Sequence, residues 1–198
     1  MRLLTPILAA LIVFATPAVA GNAVIEVRGP DGGPLVDAVV TIQTARRPSV
    51  PIQFAWPATM SQHNIAFDPH VLIVPVGSTV TFPNMDKVRH HVYSFSRAKK
   101  FDLKLYGRDD TRSVVFDKPG IVAVGCNIHD SMSGFVVVVD TPYAMKTDGN
   151  GRVVIANVPA GGATVRVWHP GIRARDNMLS QTATIAPSGY NTTLTIRR

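Results

Sequence analysis

IVAVGCNIHDSMSGFVVVV, residues 121–139, sets two apolar runs, Ile121–Val124 and Phe135–Val139, on either side of the only cysteine in the chain. A histidine follows that cysteine by three positions and a methionine follows the histidine by three, giving Cys126, His129 and Met132. Short β-branched runs punctuated by glycine read as strands, so the three side chains belong to a strand-to-strand loop. A thiolate, an imidazole and a thioether at this spacing form a soft donor set suited to copper. A trigonal copper site of that kind takes two histidines and a cysteine with a weak axial methionine, so a second histidine has to come from another part of the chain.

Working outward, the same strand signals recur in both directions. Upstream lie Ala38–Thr44, His70–Val76, Ser78–Phe82, His91–Phe95 and Val114–Phe116, punctuated by Gly77, by Pro83 and Asn84, and by the turn at Asp117–Gly120. Downstream lie Arg152–Ala156, Ala163–Trp168, Gln181–Ile185 and Thr192–Ile196. Pro48, Pro51 and Pro57 argue against a helix in the connection that carries them. The basic stretch Ser96–Arg112 is open to an irregular loop or a short helix. No long amphipathic helix is present, and all-β is the class that fits.

The second histidine has two adjacent candidates, His90 and His91, at the entry to a strand. Neighbouring strand residues point to opposite faces, so one of the two reaches a metal. Here the sequence resembles the cupredoxins, the small blue-copper proteins, over Ile65–Asp140. The resemblance rests on FDPHVLIVPVGSTVTFPN, on HHV and on FDKPGIVAVGC, with Cys126, His129 and Met132 at the short loop spacing of amicyanin. It implies a Greek-key β-sandwich and one copper ion, cycling between Cu(I) and Cu(II), held by His90, Cys126, His129 and Met132. It also implies that His91 stands where the family has asparagine, and that Asn84 ties the histidine-bearing loop to the cysteine-bearing loop. His63, His70 and His169 lack partners at ligand spacing and read as ordinary strand or surface histidines. Trp168 reads as a packed aromatic at a strand end.

The flanks VRGPDGGPLVDAVVTI and TDGNGRVVIANVPAGGATVRVWHPG resemble the two halves of the carboxypeptidase regulatory-like β-sandwich. The resulting expectation is a cupredoxin domain, residues 59–140, inserted into a second small β-sandwich formed by 21–58 plus 141–198. The same combination is similar to exported proteins labelled methylamine utilisation proteins. Nothing in the residues shows methylamine chemistry.

Residues 1–20 have the make-up of a secretory signal peptide, with cleavage after Ala20. Beyond it no stretch approaches the roughly 20 apolar residues of a membrane span, so the expected location is the periplasm. A lone cysteine in an exported chain makes no internal disulfide, which favours a metal-ligand role beside these neighbours. The formal charge of +7 allows an acidic partner surface. Export and the lack of a recognisable motif speak against nucleic acid. The leading expectation is a carrier of single electrons rather than an enzyme, serving a redox partner such as a cytochrome c or a dehydrogenase. Arg97, Lys99, Lys100, Lys104 and Arg108 are candidates for its docking patch. The alternatives are a copper-binding or delivery protein without an electron-transfer role, and a structural envelope module.

Overall fold

The computed structural model describes residues 19–45 and 51–196. Most of the expected signal peptide, residues 1–18, lies outside the described residues, as does Pro48. The described chain is an all-β sandwich fold. Its strands are β1 Ala20–Arg28, β2 Val39–Thr44, β3 Ser61–His63, β4 Ala66–Asp68, β5 Val71–Pro75, β6 Ser78–Pro83, β7 His90–Phe95 and β8 Lys100–Tyr106. They continue with β9 Thr111–Phe116, β10 Gly120–Cys126, β11 Ser133–Val139, β12 Ala144–Lys146, β13 Arg152–Pro159, β14 Gly161–Trp168, β15 Met178–Ile185 and β16 Tyr190–Thr195. The segment open to a loop or short helix, Ser96–Arg112, instead carries β8 and the start of β9. Phe101, Leu103 and Leu105 alternate with polar residues there, a period-2 pattern masked by the surrounding charges.

Strands from the two ends of the chain share two sheets, in the orders β13-β1-β16 and β12-β2-β14-β15. Ala23, Ile25 and Val27 of β1 are fully buried and meet Val40, Ile42, Val165 and Val167 of the facing sheet. Strand alternation delivers these side chains to one face. Each valine or isoleucine so buried contributes about 1.5–3 kcal/mol.

The middle of the chain forms a five-stranded sheet, β5-β11-β10-β7-β8, with the pairs β6-β9 and β3-β4 beside it. Leu72, Val74, Val136 and Val138 point into a core with Phe82, Val92, Phe116, Val122 and Val124. The alternate residues Val71, Ile73, Val137 and Val139 are buried on the opposite face, against Val39, Ala144 and Trp168. This is why β11 reads as an unbroken apolar run. It pairs in parallel with β5, and both strands are covered on both faces. Trp168 accordingly packs edge-on against Phe135, ring centroids 5.0 Å apart, and fastens one set of sheets to the other.

Candidate metal centre

Alternation along two neighbouring strands builds the site. On β10 the inward side chains are Val122, Val124 and Cys126, and on β7 they are His90, Val92 and Ser94. The strands are antiparallel with Cys126 opposite Val92, which sets the cysteine and His90 on the same face at the same end. The loop after Cys126 folds back on itself: the Met132 N–H donates to the His129 carbonyl at 2.9 Å and the Cys126 N–H to the Met132 carbonyl at 3.2 Å. That turn brings His129 over the cysteine and turns Met132 into the core that also holds Cys126.

His90 Nδ1 and His129 Nδ1 each lie 3.6 Å from Cys126 Sγ. One ligand atom from each of the three residues falls within 4.8 Å of the other two. Donors about 3.6 Å apart are those that share one ion at roughly 2.0–2.3 Å, the range for imidazole nitrogen and thiolate sulfur. His90, Cys126 and Met132 are buried and His129 is half-buried. The His91 backbone N–H donates to Cys126 Sγ at 3.5 Å, an arrangement that accommodates negative charge on sulfur. His90 Nε2 lies 2.8 Å from Asp86 Oδ2. A carboxylate only accepts, so Nε2 carries the proton and Nδ1 presents its lone pair toward the sulfur.

His91 faces the other way. Its Nε2 donates to Asp102 Oδ1 at 2.5 Å on the outer surface of the sheet, and among the described residues it takes no place in the His-Cys-His cluster. Asp102 is held below the ordinary carboxylate range by hydrogen bonds from Lys104 and then His91. His70 Nδ1 donates to the Ser133 carbonyl at 3.1 Å, and His169 Nδ1 accepts from the Gly171 N–H at 3.0 Å. Burial keeps His169 below the ordinary imidazole value. His63 sits exposed at the end of β3.

Asn84 departs from the tie that the resemblance implied. Its amide donates to the carbonyls of Val88 at 2.9 Å and Tyr106 at 3.3 Å, and its Oδ1 accepts from the Asp86 N–H at 2.9 Å. It therefore braces the turn leading to His90 from within, and among the described residues its side chain makes no hydrogen bond to the cysteine loop. The basic cluster is also divided. Lys99 pairs with Asp117 at 2.8 Å, Lys104 with Asp102 at 2.7 Å and Arg112 with Asp110 at 2.9 Å. Arg108 lies 3.9 Å from Asp109, and among the described residues Arg97 and Lys100 enter no ion pair.

Sequence patterning passed over three residues. Asp86 holds His90 from four positions upstream, a spacing visible in the sequence but not singled out there. Gln62 and Tyr106 are buried together behind His90. The Tyr106 hydroxyl lies 2.7 Å from Gln62 Oε1 and 2.9 Å from the Phe82 carbonyl, and its one proton is shared between these two acceptors. Burial pushes the Tyr106 hydroxyl above the ordinary phenol range. Their meeting across 44 residues leaves no local signal.

No protein-family model matches the sequence, and no curated protein matches it. Solved structures that match part of the chain include a purple cupredoxin from Nitrosopumilus maritimus, 27% identical over 41% of this chain and 96% of that one, TM-score 0.37. An oxidised amicyanin variant is 26% identical over 41% of this chain and 80% of that one, TM-score 0.38. A Cu-containing nitrite reductase from Thermus scotoductus is 26% identical over 50% of this chain and 28% of that one, TM-score 0.41. Each of these likenesses stops at half of the chain or less. Among the described residues no helix is long and apolar enough to cross a membrane.

Proposed function

We propose that this chain is a periplasmic copper protein that passes single electrons between redox partners, with His90, Cys126, His129 and Met132 as the ligands. The observation that carries the reading is the pair of imidazole nitrogens 3.6 Å from one buried cysteine sulfur. The donor chemistry fits copper: two imidazoles and a thiolate with a thioether nearby favour it over hard cations. Bound copper would supply a one-electron couple. Cys126 would give the strongly donating ligand, His90 and His129 would serve both oxidation states, and Met132 would be the weak fourth donor. The backbone N–H of His91 and the carboxylate of Asp86 orient the sulfur and the His90 ring. Valine and phenylalanine side chains of the core exclude water from the inner side, while half-buried His129 is the ligand nearest the solvent.

The two sheets that unite the chain ends, with a core of their own, support reading 21–58 plus 141–198 as a second sandwich carrying a copper domain at 59–140. The composition of residues 1–20 supports export. The deciding experiment is the absorption spectrum of purified protein titrated with Cu(II), beside a Cys126→Ser variant and a zinc competition. An intense visible sulfur-to-copper band that vanishes in Cys126→Ser, with reversible one-electron voltammetry, supports electron transfer. Tight copper binding without a reversible wave would move the reading to copper delivery. Absence of copper binding would overturn both.

A further inference from the structure

We propose that the tip of the β3–β4 hairpin is a positioning device for His90, acting through Asp86. The proposal deepens the reading of His90 as a ligand. The hairpin turns at Asn64 and Ile65, whose φ angles are 54° and 57°. Two successive left-handed residues make a tight hairpin turn of the kind that asparagine-glycine favours. Asn64 suits its position, but a β-branched residue at positive φ is a steric outlier. Ile65 gains no compensating burial, being 46% exposed. Something else must hold the tip in this conformation.

That hold is the Asp86 side chain. Its Oδ1 accepts the Asn64 N–H at 2.7 Å and its Oδ2 accepts the Ile65 N–H at 3.0 Å. Oδ2 also accepts His90 Nε2 at 2.8 Å. Two backbone amides thus fix both oxygens of the carboxylate and aim one of them at the imidazole. Burial acts to raise the Asp86 carboxyl, but the hydrogen bonds from Ile65, His90 and Asn64 outweigh it and hold the group below its ordinary value. The hairpin is anchored again at its base, where the Met85 N–H donates to the Gln62 carbonyl at 2.9 Å. With base and tip both tied to the segment preceding β7, the ring of His90 has one orientation, Nε2–H toward Asp86 and Nδ1 toward Cys126. Strain retained at a residue that touches no ligand is what a clamp on the ligand would show.

The test uses the full chain. In the metal-free protein, held well above the ordinary imidazole value of roughly 6.5, long-range proton–nitrogen correlation reports the His90 tautomer. The wild type should show a single Nε2–H form. Asp86→Asn offers one acceptor oxygen to three donors, and its amide can donate to a bare Nε2. Ile65→Pro removes one of the two amides and cannot adopt positive φ. Both variants should populate the Nδ1–H form and lose about 10- to 100-fold in Co(II) affinity, the usual effect of removing an outer-shell partner. Ile65→Gly keeps the N–H, so it should keep the wild-type tautomer while unfolding at a higher temperature. An Ile65→Pro protein that retains the Nε2–H tautomer and binds Co(II) within about twofold of wild type overturns the proposal. Should that variant fail to fold, hydrogen exchange decides. Exposed Asn64 and Ile65 amides should both be protected in the wild type and at least one of them unprotected in Asp86→Asn, and free exchange in the wild type overturns the clamp. A wild-type protein whose Cys126 binds no copper would defeat the proposed function but leave the tautomer measurement standing.

Discussion

Removing one oxygen from behind the metal centre, in Tyr106→Phe, should cost about 1–3 kcal/mol of stability, the penalty for leaving a buried acceptor without its donor. The magnitude follows from the surroundings. Gln62 is fully buried and its Oε1 takes the Tyr106 hydroxyl at 2.7 Å, while its amide donates to the Met60 carbonyl at 3.3 Å. Without the hydroxyl, Oε1 faces the apolar core, where no water replaces the lost donor. Around 2 kcal/mol in a chain of this size lowers Tm by roughly 4–8 °C. The assay is urea unfolding of the metal-free protein, extended to a double-mutant cycle with Gln62→Met. When both partners are replaced by apolar groups of similar shape the cost nearly disappears, so the double variant should be more stable than the sum of the single losses by about 1 kcal/mol or more. The reasoning is refuted if Tyr106→Phe unfolds within about 0.5 kcal/mol of wild type or if the two substitutions simply add. Tyr106 is also the ladder partner of His90, so the same variant shows whether the strut behind the site affects copper uptake.

Trp168→Ala should destabilise the protein by about 3–5 kcal/mol, because Trp168 is buried at the junction of the sheets against Phe135; denaturant unfolding checks it, and a loss under about 1 kcal/mol would mean that the junction contributes little. Gly134→Ala should cost about 1–3 kcal/mol as an overpacking change, since a new Cβ would stand 3.0 Å from Phe67 Cβ and 3.2 Å from the His70 carbonyl oxygen; a variant as stable as wild type shows that the metal-loop end of β11 yields without strain. The carboxyl of Asp148 is held below its ordinary value by the backbone N–H groups of Arg152 and Asn150, and Asp117 by Lys99. With folded-state values below unfolded ones, their stabilisation is complete above roughly pH 4 and is lost as the pH falls through the lower folded values. Unfolding midpoints between neutral and acidic pH should decline, and Asp148→Ala should decline less steeply than wild type; parallel curves would remove Asp148 from the account.

Much of the strand content was legible because its physical cause is local. β-branched runs between glycine and proline marked β5, β6, β10, β11 and β14 to within a few residues. The loop donors were legible for the same reason, since Cys126, His129 and Met132 share one turn whose length is written in the chain. The short strands β3, β4 and β12 were missed, because three residues hold too few alternations to form a pattern. β8 was missed because alternate lysines and aspartate gave it the look of a solvated loop. The valine run at 136–139 was legible as a strand, but its double burial was not, since that depends on which sheets come to lie on its two faces.

The sequence by itself determined the all-β class, the soft donor chemistry of Cys126, His129 and Met132, and the alternation that lets only one of His90 and His91 face inward. These follow from residue type and backbone period, which act over a few positions. Tertiary structure alone decided which nitrogen of His90 meets the sulfur and that Asp86 joins the Asn64–Ile65 turn to the His90 ring. Those outcomes depend on groups 21, 22 and 36 positions apart in the chain arriving within hydrogen-bonding or ligand distance. Separation of that kind is closed by sheet register and core packing, which no local pattern encodes.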